Sequence, residues 1–180
     1  MKQSIFKLVK FSLSAFFLLF SILLILCPML QPSDTIKDLS GRVGAIDNYS
    51  MIPAIPKPCI YIYIFGDLWC HQRSDRSLFI NGNQMPVCAR CLGIFLGFPF
   101  GILVSTLTKI GNVDERLHKK VLVLISIGYA PILTDSIGQS VGLWDSTNTI
   151  RLLTGTTAGI VFGIILTILI NVIEKAVICH

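Results

Sequence analysis

The stretch "LGIFLGFPFGILVSTLT", residues 92–108, carries no charge. At about 1.5 Å per residue, a helix through it covers most of the roughly 30 Å hydrocarbon layer of a bilayer. Gly93, Gly97 and Gly101 recur every four residues and so share one helix face. Such small-residue ridges let helix backbones approach closely in lipid. Pro99 interrupts the ridge, which a membrane helix tolerates at the cost of a kink. A second ridge, Gly155, Gly159 and Gly163, lies in the apolar stretch 147–172, so these two helices are expected to pack face to face.

Two more stretches complete a four-span reading. Residues 11–30 are almost unbroken hydrocarbon, and residues 121 to about 141 read as a further span. Lys2, Lys7 and Lys10 ahead of the first span resemble a signal peptide. The apolar part is longer than a signal h-region and no A-x-A-like site follows, so an uncleaved anchor is expected. Of the 180 residues, 53% are hydrophobic and only 14% charged, which excludes a soluble globular domain. The formal charge of +5 accompanies no nucleic-acid motif. Its distribution instead speaks to topology. Lys2, Lys7, Lys10, Lys109, Arg116, Lys119, Lys120 and Lys175 flank spans in short segments, which places both termini in the cytoplasm. Regions 31–91 and 142–147 then face outward.

The fold class expected is an all-α membrane protein with four transmembrane helices and an irregular extramembrane loop carrying a Cys/His cluster. Residues 1–30 form an N-terminal anchor, 31–69 an extramembrane linker, and 70–180 the core membrane domain. Within the linker, "CIYIYIF" (59–65) reads as an interfacial strand or an aromatic belt segment. Asn48-Tyr49-Ser50 matches a glycosylation sequon, a weak three-residue signal.

Chemistry concentrates at "CHQRSDRSLFINGNQMPVCARC", residues 70–91. Cys70, His71, Cys88 and Cys91 offer three thiolates and an imidazole, a donor set that zinc accepts in tetrahedral geometry. Two considerations keep other readings open. Adjacent Cys70 and His71 tend to point apart, and thiols outside the cell oxidise to disulfides or serve redox chemistry. That the C-x-x-C is followed by Leu92 and not His argues against haem attachment. The six cysteines, Cys27, Cys59 and Cys179 included, are too scattered for a dense disulfide scaffold, since Cys27 and Cys179 lie in or beside apolar helices, and only the 70/88/91 group reads as a site.

A second cluster, "PILTDSIGQSVGLWDSTNTIRLLTG" (131–155), places Asp135 and Gln139 on one helix face and Asn148 and Arg151 on another. A carboxylate inside the bilayer costs about 2.5–3.5 kcal/mol on insertion scales. Arg151 at the start of the next helix would offset that cost, so an Asp135–Arg151 pair is expected, either functional or merely pinning the helix hairpin. Asp145, Ser146 and Asn148 are candidate N-caps for that helix. Both clusters fall on one membrane face. Together His71, Arg76, Gln84, Arg90, Asp135, Gln139, Asn148, Arg151 and Thr154 would line a net-basic mouth suited to a small anion, a lipid headgroup or a phosphate.

The motifs "CHQRSDRS", "GNQMPVCARCLGIFLG" and "PILTDSIGQ…STNTIRLLTG" resemble a family of small uncharacterised prokaryotic membrane proteins, domain of unknown function 2085. The resemblance covers residues 70–101 and 131–163. It rests on Cys70, His71, Arg76, Ser77, Gln84, Pro86, Cys88, Arg90, Cys91, Gly93, Asp135, Gln139, Asn148, Arg151, Thr154 and Gly155. Ser136 departs from the commoner glycine, and residues 31–69 fall outside the resemblance. The family implies a membrane protein and no particular activity. From the residues alone, four ligands would close a zinc site, which favours a binding, transport or assembly role. The alternatives are a metal-dependent enzyme acting on a headgroup or phosphate-like substrate, with Asp135, His71 and Arg151 as catalytic candidates, or a thiol-redox protein. The partners expected are the bilayer, a small anionic or headgroup-like ligand and, through the glycine ridges, other helices in an oligomer; nucleic acid is not among them.

Overall fold

A computed structural model describes residues 2–39, 41–48, 50–108, 110, 112 and 117–178. Among these residues it has five α-helices, α1 (Lys2–Leu30), α2 (Cys59–Trp69), α3 (Ala89–Leu107), α4 (Leu117–Ser140) and α5 (Asn148–Ile178), and one hairpin, β1 (Ser77–Ile80) with β2 (Asn83–Cys88). All but α2 are long and apolar enough to cross a bilayer.

The two glycine ridges meet as expected. A Cβ on Gly93, Gly97 or Gly101 would lie 2.3, 2.2 or 2.0 Å from a carbonyl oxygen of α5. On Gly155, Gly159 or Gly163 it would lie 2.2, 2.3 or 2.3 Å from one of α3. No side chain fits between these backbones, so both ridges are consumed inside the chain. Helix α1 joins through Pro99. Because proline has no N–H, the Phe95 carbonyl loses its helical partner. The Ser21 hydroxyl donates to that carbonyl at 2.7 Å, and Ser14 donates to the Pro99 carbonyl at 2.9 Å. Helix α4 packs more loosely, with Gly128 seated on the Val161 side chain of α5. At the end of the bundle away from the hairpin, Lys10 is buried and donates to Asn171 Oδ1 at 2.7 Å and to Glu174 at 3.5 Å.

The extramembrane segment differs from the strand expectation. Residues 59–69 form a helix, because Cys59, Ile62, Tyr63 and Gly66 make one buried stripe at helical spacing. A β-rich composition needs a partner strand to become a strand, and β2 instead offers α2 its face. A Cβ on Gly66 would sit 1.8 Å from the Pro86 carbonyl oxygen, so the two backbones touch. The cysteine-bearing loop folds back as a β-hairpin, its turn written in Asn81-Gly82. Both have positive φ, 53° and 71°, as a two-residue type I′ turn demands.

The described residues of 31–58 wrap the hairpin, held by buried amides. Asn83 Nδ2 donates to the Pro28 and Pro32 carbonyls at 3.0 Å, while its Oδ1 accepts from the Thr35 and Ile36 N–H groups at 2.9 Å. Asp67, fully buried, accepts from the Asp47 and Asn48 backbones at 2.9 and 3.1 Å. The Asn48 amide donates to Asp67 and Gln72, so the sequon nitrogen is engaged in the fold; Tyr49 lies outside the described residues. A disulfide joins Cys27 at the end of α1 to Cys59 at the start of α2. This corrects the reading of those cysteines as scattered: the loop between them returns the chain to its starting point. Lys109 and Arg116 of the basic loop, and Cys179, lie outside the described residues.

Candidate functional site

Three elements deliver the thiols. Cys70 follows α2, Cys88 ends β2, and Cys91 lies in the first turn of α3. Their sulfurs all lie within 4.8 Å of one another. Three thiolates on one tetrahedral zinc, with Zn–S bonds of about 2.3 Å, would have sulfurs about 3.8 Å apart, so the group fits such an ion with small side-chain adjustment. The Cys88 backbone N–H points at the Cys70 sulfur at 3.2 Å, the kind of contact that stabilises a thiolate. Hydrogen bonds from the Cys70 and Cys91 side chains hold the Cys88 thiol well below its ordinary value.

His71 is not among these grouped donors. Cys70 is extended, with φ −136° and ψ 145°. Successive extended residues alternate sides, so Cys70 turns inward and His71 is exposed. The imidazole still borders the site. The three cysteines share a cavity of about 450 Å³ with His71, Arg73, Arg76 and Arg90. Asp75 bridges two of these arginines, at 3.0 Å from Arg73 and 3.7 Å from Arg76, and the Arg73 hydrogen bond holds its carboxyl below the usual range.

The ion pair of the membrane end is Arg90–Asp135, not Asp135–Arg151. Arg90 stands in the first turn of α3 and its side chain reaches Asp135 of α4, which itself packs on α5. Trp144 adds a hydrogen bond from Nε1 to Asp135 Oδ1 at 3.4 Å, its indole lying over Gly138. Arg151, 5% exposed, donates to Asn148 Oδ1 at 2.9 Å and to the Asp75 carbonyl at 3.3 Å. Asn148 donates in turn to the Ser77 carbonyl at 3.0 Å. Arg151 and Asn148 therefore fasten α5 to the hairpin. The N-cap of α5 is Thr147, whose hydroxyl accepts from the Ile150 N–H at 3.3 Å, and not Asp145, Ser146 or Asn148.

Gln84 also departs from the mouth. Its amide is fully buried, accepting from the Leu39 N–H at 2.9 Å and donating to the Leu39 carbonyl at 3.2 Å, so it organises the wrapping segment. Gln139 is half-buried on α4 and lines neither cavity. Thr154 donates to the Ile150 carbonyl at 2.9 Å and borders, with Asp135, a separate groove between α4 and α5. The Nε atoms of Arg76, Arg90 and Arg151 are buried with no hydrogen-bond partner among the described residues, leaving donor capacity at this end of the bundle.

Four apolar helices, a folded cap and a thiol group at one membrane end define a multi-pass membrane protein with a cysteine-lined cavity. The chain belongs to the family described as "Predicted membrane protein (DUF2085)", whose model matches residues 70–165. It is 37% identical over 100 residues to the uncharacterised protein MJ1492 of Methanocaldococcus jannaschii, the match covering 56% of this chain and 62% of that one. An uncharacterised protein of Methanothermobacter thermautotrophicus is 30% identical over 104 residues, covering 58% and 89%. No solved structure matches the chain.

Proposed function

We propose that this protein binds an anionic, phosphate-like group on the outer side of the membrane, beside a metal ion held by Cys70, Cys88 and Cys91. The observation that carries the reading is that three thiols and three guanidiniums line one cavity. Arginines supply paired donors suited to phosphate or carboxylate oxygens. Three thiolates leave one tetrahedral position open, and zinc bound there would supply a Lewis acid. The outer location is supported by the Cys27–Cys59 disulfide in the same cap, since such bonds persist in oxidising compartments. A binding, transport or assembly role follows from capture alone.

A second reading is favoured by the exposure of His71. With the imidazole off the thiol group and bordering the cavity, it is placed to exchange protons with a bound ligand, as a metal-dependent enzyme acting on a phosphate-like substrate would require.

Metal analysis of detergent-purified protein tests the centre. The wild type is expected to retain stoichiometric zinc, Cys88→Ser to lose it and His71→Ala to keep it. Metal-free protein carrying a Cys88–Cys91 disulfide would overturn the metal and favour thiol-redox chemistry.

A further inference from the structure

The cavity that holds the thiols is not the only space at this end of the bundle. Between α4 and α5 lies an open groove of about 560 Å³ whose walls are mostly apolar: Ile127, Ala130, Pro131 and Ile150, with Thr154 at the side. It runs along two spanning helices, so in the membrane its walls meet hydrocarbon. The charged residue on its lining is Asp135.

Asp135 is bonded to Arg90, and Arg90 lines the anion cavity. Groove and cavity therefore adjoin at this ion pair. On one side stand Arg73, Arg76 and Arg90, paired among the described residues with two carboxylates, Asp75 and Asp135. That side attracts negative charge. On the other side the lining is what an alkyl chain would choose. A molecule that satisfies both at once has a charged oxyanion at one end and hydrocarbon at the other.

We propose that the ligand is an anionic lipid, with its phosphate-type headgroup in the arginine- and cysteine-lined cavity and one chain in the α4–α5 groove, crossing over the Arg90–Asp135 pair. This rests on the anion reading above and names its substrate class. The same headgroup chemistry exists in free phosphate, and the two sources separate on the groove.

Calorimetric titration of the detergent-solubilised full chain with dioctanoyl phosphatidate, dioctanoyl phosphatidylcholine and inorganic phosphate distinguishes them. Phosphatidate is expected to bind at least about tenfold more tightly than either of the others. Filling the groove from each wall, by Ala130→Phe on α4 and Thr154→Leu on α5, is expected to weaken phosphatidate by about tenfold and leave phosphate unchanged. Unchanged phosphate binding also certifies that these variants fold. Arg76→Gln should weaken both ligands. If phosphate binds and the groove variants leave phosphatidate unaffected, the lipid assignment is overturned while the anion site stands. Equal binding of phosphatidylcholine, or indifference to Arg76→Gln, overturns the headgroup placement. Binding of neither anion removes the anion reading itself.

Discussion

Asp135 shows how much one partner decides. It is 5% exposed, and the guanidinium of Arg90, about one-fifth exposed, compensates it. Removing one member of a buried pair costs about 3–5 kcal/mol, and the partial exposure of Arg90 puts Asp135→Ala near the lower end. A double-mutant cycle read by denaturant unfolding in detergent is expected to give clear coupling between Arg90 and Asp135 and a weaker one between Arg151 and Asp135, which interact only through space. Coupling to Arg151 as strong as that to Arg90 would show the pairing described here to be wrong. That an acidic residue in α4 needs a cation was legible in the sequence, because an unpaired intramembrane carboxylate is costly wherever it sits. Which arginine supplies it was not. Arg151 is near Asp135 along the chain, but α3 and α5 pack so closely that Arg90, distant in sequence, arrives first.

Among the elements, the glycine ridges make the firmest demand. Gly97→Val would drive a branched side chain into the Thr156 carbonyl, a contact of 2.2 Å already at the Cβ. The overpacking is expected to cost at least about 3 kcal/mol. Since both ridges face each other within one chain, the same substitution should leave the oligomeric state unchanged in sedimentation. A shift toward monomer would mean that the ridge also serves an intermolecular contact. The ridges were readable because four-residue spacing is local. Helix α2 was not, since its isoleucines and tyrosines favour strand until β2 presents a face to pack against. The exposure of His71 belongs here too, for it follows from the extended backbone at Cys70 rather than from composition.

At the scale of the molecule, the cap is a closed unit on the bundle. The Cys27–Cys59 bond closes a 32-residue interval, for which loop entropy predicts about 3–4 kcal/mol. Cys27→Ser is therefore expected to lower unfolding stability by about that much while the thiol group remains able to bind metal, as zinc retention would show. If the cap faces outward, a membrane-impermeant maleimide added to intact cells after chelation should label Cys88; labelling only after lysis would reverse the orientation. Because metal ligation requires thiolates, zinc should leave as pH falls, and competition with a chelator across pH would follow that loss.

The sequence by itself determined four membrane spans, the helix pair joined by glycines, the cysteines and arginines gathered in residues 70–91, and the polar cluster with Asp135 and Arg151 in 131–155. These are properties of length, period and composition, which act over a few residues. Only the tertiary structure decided that Cys27 bonds Cys59, that His71 stands apart from the thiols, that Gln84 is a buried strut, and that Arg90 rather than Arg151 meets Asp135. Each of those depends on where a distant segment returns, and the return is set by close packing of α3 on α5 and of residues 31–58 around the hairpin.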